Sequence, residues 1–321
     1  MKNFFNKEIK IANKKIGKNN PVFIIAEAGV NHNGQLKNAY KLIDIAKNSG
    51  ADAIKFQTFN TKQSTIKNLK KAKYQLRGKE DKESQYEMLR NLEIDFNFHL
   101  KIKRYCKKKK IIFFSTPSDL ESLKLLKKLN VDCYKISSVD LNYFELIKNV
   151  SKTHKPVIIS TGMSNIDDVI ATKNQLIRYK NKNVAFLHCV SSYPTKDENL
   201  NLDSIKFLSK NLGAVIGFSD HSIGYTGAVL AIACGAKIIE KHITINKKMF
   251  GPDHKISMEP KDFKLFIRKI RETEIILGRE EKKINKVEID TLKSTKKVFV
   301  AIKDLISGQI LNKNMIILKC A

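Results

Sequence analysis

Short apolar runs alternate with longer amphipathic segments through most of this chain. Residues 23–28 (FIIAEA) and 111–115 (IIFFS) are almost continuously apolar, which is typical of strands buried on both faces. Residues 36–48 and 166–179 carry apolar side chains three and four positions apart, as amphipathic helices do. Eight strand–helix pairs of this kind follow one another between residues 21 and 278. The repetition predicts an α/β fold, a (β/α)8 TIM barrel rather than a doubly wound sheet.

The segments outside this alternation are short. Residues 1–20 predict a β-hairpin, and residues 279–293 are interpreted as a charged linker. Residues 294–321 hold two short apolar runs on either side of Gly308, too few to bury a core, so we expect this segment to pack elsewhere or to be incomplete. Residues 60–83 form a polar stretch longer than an ordinary loop, which predicts a lid over a functional site.

Two histidines follow successive predicted strands in the stretch GFSDHSIGYTGAVLAIACGAKIIEKH, residues 217–242. His221 and His242 each lie just beyond the carboxyl end of a strand, one βα unit apart. If those strands are parallel neighbours, both imidazoles face the same mouth of the barrel and can hold one metal ion. The alternative is that both are structural, since single histidines on apolar elements usually are.

The other predicted strand ends carry polar groups, among them a carboxylate able to act as a base, a lysine and many hydroxyls. They are Glu27, Lys55, Gln57, Thr116, Ser138, Asp140, Thr161, His188, Ser191 and Ser219. Hydroxyls and an ammonium that converge on one face suit a phosphate monoester, although several hydroxyls are equally explained as helix N-caps. Two mechanisms stay open: a Schiff base on Lys55 or Lys135, or a metal on the histidine pair with Lys55 holding phosphate.

The composition excludes several classes of protein. The formal charge is +28, yet only seven of the 60 basic residues are arginine and the lysines are spread over every predicted helix, so we expect no nucleic-acid partner, only steering of anionic substrates. The five cysteines follow no CxxC spacing, which favours reduced thiols. No apolar run approaches the roughly 20 residues of a membrane span, and no signal peptide is recognisable, which predicts a cytoplasmic protein.

A series of motifs then appears in order along the chain. The motifs are IIAEAGVNHNG (24–34), AIKFQTF (53–59), FFSTPSD (113–119), YKISS (134–138), ISTGM (159–163), LHC (187–189) with YPT (193–195), GFSDHS (217–222), IEKHIT (239–244) and GPDHKIS (251–257). This series resembles the sialic acid synthase family, which condenses phosphoenolpyruvate with an N-acetylated hexose such as N-acetylmannosamine. The resemblance covers about residues 21–277. The last residues resemble the start of that family's antifreeze-like (SAF, β-clip) domain, which implies a domain-swapped homodimer if that domain is complete.

The resemblance also implies roles for individual residues. Phosphoenolpyruvate would contact Lys55, Thr116, Ser138, Ser191 and Ser219; the sugar pocket would contain Glu27, Gln57, Asp140, Tyr193 and Asp253; and His221 and His242 would hold Mn²⁺ or Mg²⁺. In the family's reaction the metal polarises the open-chain aldehyde, C3 of phosphoenolpyruvate attacks it, water adds at C2, and phosphate leaves by C–O cleavage. Glu27 is expected to handle protons near the sugar.

Three departures from the family pattern narrow these expectations. Asp140 stands where several members have Glu, and Ser191 where many have Asn. The sequence ends at LKCA where the family continues with an Arg-Pro-Gly segment, so either the chain is truncated or Lys319 replaces that arginine. Alternatives are a legionaminate or pseudaminate synthase acting on a diacetamido-trideoxyhexose, a barrel that uses a phosphorylated aldose, a Schiff-base aldolase, and an inactive or nucleic-acid-binding barrel protein.

Overall fold

The computed structural model describes residues 4–76 and 82–320, and the chain divides into two units, Met1–Leu277 and Gly278–Ala321. The larger unit contains a two-stranded hairpin and a closed barrel of eight parallel strands, so the predicted TIM-barrel fold is confirmed. The hairpin strands come first, the barrel strands follow in chain order, and the bounds are β1 Glu8–Ile11, β2 Lys14–Gly17, β3 Phe23–Gly29, β4 Ala53–Thr58, β5 Ile112–Pro117, β6 Tyr134–Ile136, β7 Val157–Ser160, β8 Val184–Cys189, β9 Val215–Asp220 and β10 Ile238–His242.

Helices cover the outside of the barrel and begin at residues that satisfy their first backbone amides. Asp95, Asp119 and Asn165 each accept a hydrogen bond from the backbone N–H three residues later, as N-caps do. The helices of the larger unit are α1 Leu36–Ser49, α2 Thr61–Ser64, α3 Gln85–Arg90, α4 Phe96–Lys109, α5 Leu120–Lys128, α6 Phe144–Ser151, α7 Ile166–Arg178, α8 Asp203–Leu212, α9 Thr226–Ala233 and α10 Pro260–Leu277.

Two apolar cores follow from the alternation of side chains along the strands. On β3, Ile24 and Ala26 point outward into the core between the sheet and the helices, whereas Phe23 and Ile25 point into the barrel. The next inward position on β3 is Glu27, at the carboxyl end of the strand. Because the alternation is strict, each strand directs apolar residues into the lower barrel and one or two polar residues into its mouth.

The hairpin closes the amino end of the barrel. Strands β1 and β2 pair antiparallel, and Ile9, Ile11 and Ile16 pack against the inward apolar residues of the barrel strands. All three isoleucines are almost completely buried. The amino end is therefore a dry apolar core, closed by a hairpin that lies within residues 1–20, where the sequence predicts one.

Two strands run further than the sequence indicates. The apolar runs predict strands over 214–218 and 237–239, but β9 continues to Asp220 and β10 to His242. Their polar ends stay in the parallel ladder because Glu240 pairs with Ser219 and Lys241 with Asp220. The strands were predicted too short because the prediction ended each of them at the first polar residue after its apolar run. Among the residues that the structure describes, no helix is both long and apolar enough to cross a membrane.

The smaller unit holds a helix, α11 (Ile289–Thr295), and two antiparallel strands, β11 (Lys297–Ala301) and β12 (Ile316–Cys320). The prediction of a linker over 279–293 was wrong in its second half. Asn285 and Glu288 form a capping box that starts a 3-10 turn at Lys286–Glu288, and α11 follows directly. The assignment of this unit to the antifreeze-like class stays a prediction.

Candidate active site

The mouth of the barrel contains a cluster of four buried charged side chains, two lysines and two glutamates. The Lys55 ammonium lies 2.9 Å from Glu27 Oε1 and 3.8 Å from Glu240 Oε2, and it donates a hydrogen bond to Thr116 Oγ1 at 3.1 Å. The Lys135 ammonium donates to Ser160 Oγ at 2.6 Å and lies 3.6 Å from Glu240 Oε1. The side chain of each charged residue is 5% exposed or less, so the cluster is a buried polar layer at the base of the mouth.

The two glutamates of this cluster have pKa values shifted in opposite directions. Burial raises the pKa of Glu27, and the nearby Lys55 only partly opposes this effect. Burial would also raise the pKa of Glu240, but Lys135 and Lys55 together outweigh it and lower that pKa. Such a separation is the usual sign of one proton carrier beside one permanent anion. Glu27 is therefore the group that can gain or lose a proton here.

His221 and His242 lie side by side above this cluster. Their ring centroids are 5.6 Å apart, and the Tyr193 ring lies against both, with its centroid 4.2 Å from that of His221 and 6.2 Å from that of His242. Burial, followed by the neighbouring His221, lowers the pKa of His242 well below its usual value, so this ring is neutral. The structure thus brings together the two histidines that the sequence placed on neighbouring strands.

The histidine pair fits a divalent cation. His221 Nδ1 is 2.7 Å from the carbonyl oxygen of Val190, which fixes the proton on Nδ1 and leaves the Nε2 lone pair for a metal. His242 Nδ1 is buried without a hydrogen-bond partner in the described part of the chain and lies 3.9 Å from Asp253 Oδ2. No group of three or more His, Cys, Asp or Glu residues in residues 4–76 and 82–320 is placed to hold an ion, so a cation here would complete its coordination with water or substrate.

The hydroxyl groups converge on one side of the mouth. Ser138 Oγ accepts a hydrogen bond from the Gly162 backbone N–H at 2.9 Å, and Ser219 Oγ donates to Glu240 Oε1 at 3.0 Å. A Cβ atom at Gly162 would come within 3.0 Å of both Ser138 Oγ and Ser191 Oγ. Gly162 therefore leaves the space in which these two serines approach each other.

The remaining residues predicted for the sugar pocket lie at the same mouth of the barrel. Gln57 Nε2 donates to Glu27 Oε1 at 3.4 Å, which places the amide beside the proton carrier. Asp140 is buried on the loop after β6 and accepts a hydrogen bond from the Ser137 hydroxyl. Burial raises the pKa of Asp140 to about 6 and also that of Asp253 to about 6. Both carboxyl groups thus titrate close to neutral pH.

Two strand-end residues that the sequence drew attention to do not join the site. His188 Nε2 is 2.7 Å from the carbonyl oxygen of Leu200, and its ring stacks on Phe218. Thr161 Oγ1 donates to the carbonyl oxygen of Leu187. Their side chains are occupied by contacts within the fold.

Three residues of the site were not singled out from the sequence. Glu240 completes the charged cluster with Lys135, which the sequence offers only as a Schiff-base candidate, and Cys189 Sγ lies 3.8 Å from His221 Nδ1. Tyr74 belongs to the long excursion over residues 60–83, and its ring centroid lies 4.7 Å from that of Tyr193. The alternation of IIEKH contained one signal, because residues two apart on a strand share a face and Glu240 precedes His242 by two. The excursion reaches the site, as the lid prediction expects; residues 77–81 of it lie outside the described residues.

A closed β/α barrel with buried charges and a histidine pair at the carboxyl ends of its strands has the architecture of a TIM-barrel enzyme. The model of the NeuB family matches residues 42–282 of this chain. The chain belongs to the NeuB family and is an enzyme, which confirms the resemblance drawn from its motifs.

Known relatives are similar along most of their length. The N,N'-diacetyllegionaminic acid synthase of Campylobacter jejuni is 40% identical over 90% of this chain and 87% of its own. The human N-acetylneuraminate-9-phosphate synthase is 33% identical over 95% of this chain and 84% of its own. The crystal structure of the N-acetylneuraminic acid (sialic acid) synthetase of Leptospira borgpetersenii in complex with citrate has a TM-score of 0.79 and 36% identity, over 89% of this chain and 95% of that one.

Proposed function

We propose that this enzyme condenses phosphoenolpyruvate with an N-acetylated amino sugar to give a nonulosonic acid and inorganic phosphate. A bond forms between C3 of phosphoenolpyruvate and the aldehyde carbon of the open-chain sugar, water adds at C2, and the C2–O bond to phosphate breaks. The observation that carries the proposal is the charged cluster of Lys55, Lys135, Glu27 and Glu240 beside the histidine pair.

The cluster has the charge that an anionic substrate needs. Two ammonium groups face two carboxyl groups, and the raised pKa of the buried Glu27 makes it the one that takes up a proton. With Glu27 protonated, the cluster has a net charge of about +1, from Lys55 and Lys135 against Glu240 alone. The hydroxyl groups of Thr116 and Ser138 accept hydrogen bonds from Lys55 and from the Gly162 backbone N–H and keep their own protons to donate, whereas the Ser219 hydroxyl group donates to Glu240. We assign this side of the mouth, with Ser191, to phosphoenolpyruvate.

The acceptor side contains the residues that can orient a sugar aldehyde. Gln57, Asp140, Tyr193 and Asp253 supply amide, carboxyl and hydroxyl groups for a polyhydroxylated chain. His221 and His242 would hold Mn²⁺ or Mg²⁺, which when bound supplies Lewis-acid polarisation of the acceptor carbonyl. Glu27 lies between the two sides and carries the proton that the forming hydroxyl group requires.

The first candidate acceptor is N-acetylmannosamine, as the sequence analysis expects. A diacetamido-trideoxyhexose is the second candidate, because the N,N'-diacetyllegionaminic acid synthases of Campylobacter jejuni and Legionella pneumophila are 40% and 36% identical to this chain. The assay supplies phosphoenolpyruvate with N-acetylmannosamine, with the legionaminate precursor or with the pseudaminate precursor, and measures phosphate release. The acceptor with the highest kcat/KM identifies the substrate. If none of the three sugars gives phosphate release, the proposal is contradicted.

The metal and the covalent alternative are tested in the same assay. Chelation by EDTA is expected to abolish turnover, and added Mn²⁺ or Mg²⁺ to restore it, whereas the His221→Ala variant stays inactive after metal addition. Turnover that persists under chelation would exclude the metal role. Borohydride is expected to trap no substrate on Lys55 or Lys135; a trapped adduct would instead support a Schiff-base aldolase.

We further propose a cytoplasmic homodimer, domain-swapped through residues 294–321 if the antifreeze-like domain is complete. Light scattering of the chain with and without residues 279–321 tests the dimer. A dimer that persists in the shortened chain would contradict the swapped arrangement. Lys319→Met tests whether Lys319 replaces the family's arginine: if it does, the KM of the acceptor rises and the KM of phosphoenolpyruvate stays unchanged.

A further inference from the structure

A second buried ion pair lies directly behind the histidine pair. Asp220 on β9 and Lys241 on β10 are partners in the parallel ladder, and each immediately precedes one of the histidines, His221 and His242. The Lys241 ammonium is 2.9 Å from Asp220 Oδ2, and their side chains are 2% and 0% exposed. The pair is therefore as buried as the charged cluster in the barrel mouth.

This pair points away from the substrate. Side chains alternate along β9 and β10, so Ser219 and Glu240 face into the barrel while Asp220 and Lys241 face the helices. The Lys241 ammonium lies 5.6 Å from the centroid of the Phe266 ring on α10. On the helix side of β9, a Cβ atom at Gly227 of α9 would lie 3.7 Å from Asp220 Oδ1. Because the pair faces the helices, it can act on the reaction only through the residues it holds.

The pair also holds the residue that follows His221. Asp220 Oδ1 accepts hydrogen bonds from the Ser222 backbone N–H at 2.8 Å and from Ser222 Oγ at 2.7 Å. Lys241 Nζ donates to the Ser222 backbone carbonyl. Asp220 and Ser222, the residues on either side of His221, thus both contact Lys241, the residue before His242. These contacts connect the backbone around His221 to the residue that precedes His242.

The energetics favour a positioning role. A buried ion pair gains little or no stability over apolar side chains of the same volume, because the desolvation of both charges offsets their attraction. What an ion pair provides and apolar side chains do not is directed hydrogen bonding, here to the donor and acceptor groups of one loop residue. Because each member of the pair lies one residue before a candidate metal ligand, its directed hydrogen bonds can fix the position of that ligand.

We infer that Asp220 and Lys241 are positioning residues that set the spacing and orientation of His221 and His242 for a divalent cation. The inference rests on the metal role proposed above for the two histidines. Interactions behind metal ligands typically change metal affinity by about 10- to 100-fold, and we expect that range here. The pair is a part of the metal site that touches neither metal nor substrate.

The test measures Mn²⁺ affinity by calorimetry and thermal unfolding by calorimetric scanning in the full chain. Lys241→Met retains the length of the side chain and removes the charge, and it is expected to weaken Mn²⁺ binding about 10- to 100-fold and to lower the unfolding temperature. The double variant Asp220→Asn/Lys241→Met removes both charges but keeps an acceptor for Ser222. It is expected to recover most of the unfolding temperature while Mn²⁺ binding stays weak.

A matched control breaks an ion pair at the opposite end of the barrel. Asp52 accepts hydrogen bonds from Arg271 at 3.2 Å and from the Ile24 backbone N–H at 3.0 Å, and it pairs with Lys14 at 2.9 Å. Asp52→Asn is expected to lower the unfolding temperature and to leave Mn²⁺ affinity unchanged. This control separates general destabilisation from a specific effect on the metal site.

Each result decides between the two proposals. If the wild-type protein binds Mn²⁺ and His221→Ala does not, while the Lys241→Met and double variants bind as tightly as the wild type, the positioning inference is wrong and the metal role stands. Recovery of Mn²⁺ affinity together with stability in the double variant would also overturn the inference, since the pair would then be merely structural. If His221→Ala binds Mn²⁺ as well as the wild type, the metal role and the inference both fail.

Discussion

The two ends of the barrel are built from the same strands and have opposite characters. At the amino end, inward residues such as Phe23 and Ile238 pack against the isoleucines of the hairpin. Four positions further along the same strands, Glu27 and His242 face into the mouth. A single strand can therefore contribute to both a dry core and a charged site, because its inward side chains all face the barrel interior and differ only in their position along the barrel axis.

The difference between the ends is also a difference in free energy. Apolar burial at the amino end stabilises the fold by about 25 cal/mol per Å² of area removed from water. The charged end buries four ionisable side chains, whose desolvation costs at least as much as their pairing returns. We therefore expect neutral, isosteric substitutions of the buried carboxyl groups at the mouth to lower activity without lowering stability, and substitutions at the hairpin to lower stability without lowering activity.

The largest effect is expected from Glu27→Gln at the charged end. The amide keeps the shape of the side chain but cannot exchange a proton, and a general acid or base typically contributes about 10²- to 10⁴-fold to the rate. We expect kcat to fall within that range while the unfolding temperature stays close to that of the wild type. Steady-state kinetics and thermal unfolding of the same preparation check both parts. A variant that retains its kcat would remove Glu27 from the proton transfer.

The opposite result is expected from Ile16→Ala at the apolar end. Ile16 is fully buried between the hairpin and the barrel strands, so its truncation leaves a cavity that costs about 2–5 kcal/mol of the free energy of unfolding. Urea denaturation measures this loss. The kcat/KM of the folded variant at 25 °C is expected to stay within about threefold of the wild type, and a larger fall would show that the two ends are coupled.

Asp140→Asn sharpens the comparison through pH. Burial raises the pKa of the folded Asp140 carboxyl group from 3.8 to about 6, so the folded state binds its proton more tightly than the unfolded state does. The wild type should therefore lose stability as pH rises from about 4 to about 6 and then level off. The variant lacks this loss. At pH 7 we expect its free energy of unfolding to exceed that of the wild type by roughly 1–3 kcal/mol, reduced by whatever the weakened hydrogen bond to Ser137 costs. Urea denaturation between pH 4 and pH 8 tests the prediction, and equal pH slopes for both proteins would contradict it.

The smallest effect is expected from Tyr74→Ala. Its ring lies tilted against that of Tyr193, with the centroids 4.7 Å apart, and an aromatic pair is worth about 0.5–1.5 kcal/mol beyond its buried area. Since Tyr193 faces the acceptor side, we expect the KM of the sugar to rise about 2- to 12-fold and the KM of phosphoenolpyruvate to change little. Tyr74→Phe keeps the ring contact and serves as the control. Equal changes in both KM values would show that the excursion does not discriminate between the substrates.

The barrel could be predicted because its signal is local. Continuous apolar strands and amphipathic helices recur with short connections, and the motifs place Glu27, Lys55, His221 and His242 at the ends of strands. The sequence does not show which groups meet. Lys135 and Glu240 are stable in the interior only because each faces an opposite charge from another strand.

The errors had physical causes of the same kind. The end of β9 was placed too early because Ser219 and Asp220 are polar, although both remain in the parallel ladder. The helix α11 was missed because its charged surroundings hid the apolar spacing of Ile289 and Leu292. Tyr74 lies in a stretch with no periodicity, so its ring contact with Tyr193 had no local signal.

The space at Gly162 has a consequence for how members of this family can vary. Ser138 and Ser191 share the volume that a side chain at position 162 would occupy, so the three positions cannot enlarge independently. Where related sequences carry a larger residue at one of them, we expect compensating changes at the others, visible as covariation across an alignment. Laboratory evolution toward larger acceptors should then change these positions as a group, and single substitutions at Gly162 should be rare among its survivors.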